Sequence, residues 1–200
     1  MDALSLFLSL HSRYHSAAIG DKDSLAERIL SQVADEQMRL RPAKGLNSVA
    51  WLLWHVARTE DVAANLIVTD GRQVLDDVWA TQLNSQRRDI GTGMTDEEVN
   101  DLTAQINVRA LRAYRNAVGQ RTREIARALP PEAWDEVVTP EDIRRAAEQG
   151  VFGPGAASVG QGWQGQSRGV RLGTAAIAHN ALHLGEAVTV ISQAQSRVTA

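Results

Sequence analysis

The 200-residue chain contains no cysteine. That excludes disulfides, a thiol nucleophile and thiolate metal ligands, so any metal must be held by His, Asp, Glu or backbone oxygen. Lysine is nearly missing too: 19 of the 21 basic residues are arginine, which hints at GC-rich coding and says little about function. Aromatic residues make up only 4%, while apolar residues reach 44% with Ala and Leu dominant, the make-up of a helical protein. A formal net charge of −3 gives no general attraction for nucleic acid or an anionic membrane. No apolar run approaches the roughly 20 residues of a membrane span. The opening segment MDALSLFLSLHSRYH lacks a basic leader and a small-residue cleavage site. The expectation is a soluble cytoplasmic protein with neither a nucleic-acid nor a membrane partner. The length supports one substantial core, and the absence of repeats or an evident linker predicts one domain over 1–200.

What is present is helical periodicity. Asp2–Ala18 reads as a first helix, with His11 and His15 as a surface pair beside Arg13 and Tyr14. Gly20-Asp21-Lys22-Asp23 breaks the pattern, and Asp23 or Ser24 caps a helix to about Ala34. After the loop Arg41-Pro42-Ala43-Lys44-Gly45, Asn47 or Ser48 starts a helix to about Val68, its inward stripe being Trp51/Leu52, His55, Thr59, Val62 and Leu66. Residues 69–94 read as turns with a short helix near Gln73–Trp79. Thr95 and Glu98 form a capping box opening one helix to about Leu129, ended by Pro130-Pro131, with a kink expected at Gly119. Its arginines at 109, 112, 115, 121, 123 and 127 read as a mostly solvated side. Thr139 opens a short helix to about Gln149. Residues 150–169 carry seven glycines without a phosphate-loop pattern. They read either as a mobile loop at the mouth of a site or as a plain connection.

The last helix, about 172–194, holds the chemistry. His179 and His183 stand one turn apart, and Glu186 shares their stripe with Leu172, Ala175, Ala176, Leu182 and Val190. Polar groups on an inward face need partners. The long segments, roughly 24–34 (with or without 2–18), 48–68, 96–129 and 172–194, suffice for a four-helix bundle, whose metal sites are built from inward side chains of facing helices. His55, His179 and His183 are then candidate ligands. Three neutral imidazoles suit Zn, Ni, Cu or Fe and leave a coordination position open to water or substrate. A zincin pattern fails because Asn180 follows His179, and paired ExxH motifs of di-iron bundles are absent. Glu186 is a candidate catalytic base, fourth ligand, or hydrogen-bond partner orienting His183. The opposing reading is a non-catalytic bundle, perhaps a dimer, with histidines satisfied in its core.

Two short motifs give a family resemblance. Ser48-Val49-Ala50-Trp51-Leu52-Leu53-Trp54-His55 and His179-Asn180-Ala181-Leu182-His183-Leu184-Gly185-Glu186 resemble the S-x-x-x-L-x-x-H and HxxxHxGQ patterns of the DinB-like superfamily. Arg41-Pro42 and Gly45 fit the entry to that family's second helix. The departures are Glu186 in place of Gln, the Gly-rich stretch at 150–169, and the N-terminal segment with His11 and His15. The resemblance implies an all-α, metal-binding four-helix bundle with additional short helices. It also implies a divalent metal, nickel or zinc, on His55, His179 and His183. Characterised relatives transfer or isomerise small electrophiles using a low-molecular-weight thiol such as mycothiol or bacillithiol. A metal-dependent, low-molecular-weight-thiol-dependent transferase (S-transferase-like) or isomerase acting on a small electrophilic molecule is therefore expected, with a homodimer left open. Arg168 and Arg171 are placed to hold the thiol's carboxylates or sugar hydroxyls. Metal-dependent hydrolysis and non-catalytic metal binding stay open as alternatives.

Overall fold

The computed structural model describes residues 1–20, 23–31 and 33–198. Helix α1 (Ala3–Tyr14) is capped by Asp2, whose carboxylate accepts from Ser5 N–H. Of the predicted break after it, Asp21 and Lys22 lie outside the described residues. Ser24 then caps α2 (Leu25–Leu30) by accepting from Glu27 N–H, so the expected helix to Ala34 is shorter than its pattern. A single-turn helix α3 (Asp35–Met38) follows.

Helix α4 (Val49–Asp61) begins where Ser48 accepts the Trp51 N–H. It runs on as a π-helical stretch over Val62–Val68. Every residue from Val49 to Val68 is buried, so this helix is the axis of the molecule. Helix α7 (Val108–Ala128) lies along α4, as does the C-terminal helix; α1 and α2 complete the bundle against α7 and the C-terminal helix. The all-α architecture expected from composition is what the chain forms.

The helix expected over 96–129 is two: α5 (Asp77–Leu83) is followed by α6 (Asp96–Gln105), then α7. The Thr95–Glu98 capping box opens α6 as read from the sequence. Asn107 makes the break, its side chain accepting from Ala110 N–H while its own N–H goes to the Leu83 carbonyl at 2.9 Å. The two extended residues shift the inward face, so Leu111, Arg115, Val118, Thr122 and Ile125 point in and Ala113 points out. Arg115 and Arg123 are therefore buried, against the expected solvated side. Nor does Gly119 kink α7. It lets Ile19 and the His15 ring lie against the helix, where a β-carbon would come within 2.5 Å of His15 Cε1.

The Gly-rich stretch is a packed segment. Helix α8 (Pro140–Glu148) is followed by the short α9 (Ala157–Gln161), and Val151, Ala156, Gly160 and Trp163 are buried. The Gly93 and Gly155 backbones cross so closely that a β-carbon on Gly155 would sit 2.8 Å from Gly93 Cα. Helix α10 (Arg168–Gly173), a π-helical turn (Thr174–Ala178) and α11 (His179–Val198) form one continuous rod, which starts four residues before the expected helix.

Candidate metal centre

Ser48 does two things at the head of α4. Its hydroxyl accepts from Trp51 N–H at 3.0 Å and shares a 2.8 Å bond with the Thr103 hydroxyl, which ties the start of α4 to α6. Helix phase then carries His55, two turns further on, to the side facing α11. The His55 ring stacks on Trp51 with centroids 4.7 Å apart and planes at 16°. The Trp51 indole N–H is held in turn by Met94 Sδ at 3.2 Å.

His55, His179 and His183 are brought together by this packing. Ring centroids are 4.8 Å apart for His55–His179, 5.0 Å for His55–His183 and 4.5 Å for His179–His183. One nitrogen from each lies within 4.8 Å of the others, an arrangement that could hold a metal ion. The outer nitrogens set the tautomers. His55 Nδ1–H donates to the Ile90 carbonyl at 2.5 Å, and His183 Nδ1–H donates to Glu186 Oε2 at 2.8 Å. Both rings therefore turn an Nε2 lone pair inward. The Nε2 atoms of His183 and His179 face one another at 3.1 Å. His179 Nδ1 is buried without a hydrogen-bond partner, so its tautomer is free: with the proton on Nε2 it donates to His183, and with the proton on Nδ1 a third Nε2 lone pair faces inward, a donor set that fits a metal. Glu186 thus lies in the same pocket, on His183.

Ile90 was not legible as a site residue, because a carbonyl acts irrespective of its side chain. Its position depends on Gly91, whose φ of +83° suits glycine and which lies against Trp54. The Ile90 N–H reaches Val151 O at 3.0 Å, so the Gly-rich segment supports His55 at one remove.

The expected surface pair His11 and His15 is instead fully buried. His11 Nε2 is 3.2 Å from Glu60 Oε1 and His15 Nε2 is 3.6 Å from Glu60 Oε2. The hydrophobic face of α1 carries these rings in, because Glu60 on α4 offers them an acceptor. These three residues also lie close enough to bracket an ion. Against an ion, His15 Nδ1 accepts the Ser16 N–H at 2.8 Å, so the neutral ring keeps its proton on Nε2. The backbone of Gly119 also closes on that same edge of the ring. Glu60 also accepts from Asn180 Nδ2 at 3.2 Å, while Asn180 Oδ1 accepts from Arg115 at 2.8 Å. The residue after His179 thereby bridges a buried carboxylate to a buried guanidinium. This cluster braces the metal-centre helix and is built from hydrogen bonds.

Burial holds His55, His179 and His15 neutral. Desolvation takes His55 down to about 4, reinforced by the charge of His183, and His179 down to about 3, reinforced by His55, His183 and Arg171. His15 is pushed well below its usual range by burial and then by Arg115. The sign follows from linkage. The unfolded chain takes up protons near pH 6.5 that these folded rings refuse, so stability is present above about pH 6.5 and falls as pH drops toward 4. Each group contributes a slope of about 1.4 kcal/mol per pH unit in that window. Urea unfolding of chelator-treated protein is expected to give a clearly lower midpoint at pH 5.5 than at 7.5; equal midpoints would show that the rings are not buried neutral.

Among known proteins, the model of the DinB superfamily matches residues 23–187, and the chain belongs to that superfamily. A crystal structure of a conserved protein from Enterococcus faecalis matches with a TM-score of 0.69 and 20% identity, covering 98% of this chain and 99% of that one. At that identity the likeness is one of fold alone. No match was found among curated proteins. Among the described residues, no helix is long and apolar enough to cross a membrane.

Proposed function

We propose that this protein is a metal-dependent transferase that joins a low-molecular-weight thiol to a small electrophile. The observation that carries the reading is the convergence of three imidazole nitrogens, with the outer nitrogens of His55 and His183 already engaged by Ile90 O and Glu186. His55, His179 and His183 would hold a divalent ion, nickel or zinc. When bound, such an ion supplies a positive charge that lowers the pKa of a thiol or water beside it. Three neutral donors cancel none of that charge, which favours an anionic partner such as a thiolate. The chain has no cysteine to compete for the position. In the overall reaction a sulfur–carbon bond forms as the electrophile's leaving-group bond breaks, and the thiol proton goes to solvent.

Glu186 would serve that proton. One of its oxygens is committed to His183 Nδ1, and the side chain is 36% exposed, so the carboxylate reaches both the pocket and bulk water. Glu186→Gln keeps an acceptor for His183 but loses basicity. Turnover is expected to fall by about 10²-fold or more while metal content stays near that of the wild type. Parallel loss of both would make Glu186 a metal ligand instead.

The test of the reaction class is a panel of small thiols against a generic electrophile, using metal-loaded protein with and without chelator. Thiol-dependent turnover abolished by chelator supports the transferase. Cleavage of esters or amides with no thiol dependence would replace it with a hydrolase.

A further inference from the structure

Arg171 is an anomaly of charge. It is 4% exposed, yet its Nε is buried without a hydrogen-bond acceptor, and among the described residues no carboxylate pairs with its guanidinium. Its neighbour Arg168, by contrast, is tied to Glu136 at 2.9 Å. Burial lowers Arg171 to about 10, and no anion acts to raise it. A buried cation is costly unless something negative answers it. What Arg171 does have is the face of Trp163, 4.4 Å from guanidinium carbon to ring centroid. An aromatic face offsets only part of the lost hydration.

The position of this pair is informative. Arg171 and His179 are eight residues apart on one rod, and the π-helical turn Thr174–Ala178 between them takes up an extra residue. Discounting that residue leaves a spacing of seven, which returns to the same face two turns away. The charge of Arg171 is accordingly felt at His179. Trp163 also packs in one cluster with Ile90, the residue whose carbonyl holds His55. The Arg171–Trp163 pair and the histidine centre are thus linked twice, along the rod and through the cluster that holds Ile90.

We propose that Arg171, backed by Trp163, is the binding site for a carboxylate carried by a small-molecule ligand whose reacting end lies at the three histidines. A planar guanidinium presents paired N–H donors that match a carboxylate. The indole of Trp163 holds the fork flat and excludes water. The ligand class is a small organic acid, whether the acid belongs to the thiol or to the electrophile. Calling its other end the reacting end rests on the transferase reading, whereas the carboxylate site stands on Arg171 and Trp163 alone.

The test uses metal-free full-length protein, so it does not depend on catalysis. Malonate is the probe, with chloride at equal ionic strength as control, and melting temperature and tryptophan fluorescence are followed. Malonate is expected to raise the melting temperature of the wild type saturably and to change its fluorescence. Arg171→Met should melt higher than the wild type without ligand, because it removes an uncompensated buried charge, and malonate should weaken at least tenfold toward it. Trp163→Phe should lose most of the fluorescence change and keep the thermal response. A lower melting temperature for Arg171→Met would make the arginine a structural brace and overturn the proposal. So would malonate that leaves the wild type unmoved or binds both proteins alike. To assign the carboxylate, metal-loaded enzyme is assayed with cysteine against cysteamine and with acidic against neutral electrophiles. The partner whose KM rises at least tenfold on losing its carboxylate, and no longer does so in Arg171→Met, carries it. If thiol transfer fails while malonate binds through Arg171, the reaction reading falls and the carboxylate site stands.

Discussion

Asp61→Ala is expected to cost about 3–5 kcal/mol of stability, the loss typical of breaking a buried ion pair. Asp61 is fully buried and accepts from Arg58 at 2.9 Å, Tyr114 OH at 2.6 Å and Asn65 Nδ2 at 2.9 Å. It also takes the Val74 and Leu75 N–H groups at 2.8 and 2.9 Å. One carboxylate thus ties α4 to α7 and to the segment leading into α5. Its removal strands Arg58, itself 0% exposed, whose remaining acceptors are the Tyr114 hydroxyl, Gln73 Oε1 and the Arg88 carbonyl. For a domain of ordinary stability, about 5–15 kcal/mol, that is a large fraction. Asp61→Asn, which keeps some acceptors, should cost less. Urea unfolding measures both, and a cost under about 1 kcal/mol for Asp61→Ala would remove the hub from the account of this fold.

The second large effect is functional. Alanine at His55, His179 or His183 is expected to reduce turnover by more than about 100-fold, since losing even a group behind a ligand costs 10–100-fold. Stability should change in the opposite sense from what burial alone suggests for core residues. Burial holds the His55 and His179 rings neutral, so metal-free His55→Ala and His179→Ala should unfold no earlier than metal-free wild type at pH 5.5. His15→Ala supplies the contrast. It should leave turnover within a fewfold and lower stability, because Ser16 N–H loses its acceptor and a gap opens against Gly119. Steady-state rates and urea midpoints for the four variants separate the two histidine groups. Equal loss of turnover in His15→Ala would merge them.

How much of this was legible follows from where the information lies. The Ser48-to-His55 spacing and the HxxxH of α11 are local, and helix geometry alone carries them to one face. The break at Asn107 was also local, since asparagine ahead of an apolar run is a helix cap, but the hydrophobic spacing of Ile106 and Ala110 masked it. The burial of His11 and His15 was not local at all: their acceptor, Glu60, is 49 and 45 residues away in sequence. The same holds for Arg115 and Asn180, which meet only when α7 and α11 both pack on α4. The π-helical turn that brings Arg171 into line with His179 leaves no mark in residue type that periodicity detects. Glycines at 93 and 155 looked like flexibility and serve instead to let two backbones touch.

The central claim is that His55, His179 and His183 form the metal centre. Elemental analysis of the untagged protein after dialysis tests it most directly, run on the wild type, one triple variant and one double variant. The account predicts one divalent metal per chain in the wild type, none when His55, His179 and His183 are all alanine, and one when His11 and His15 are both alanine. A wild type without bound metal after incubation with nickel or zinc would contradict it, as would metal that survives loss of the three histidines.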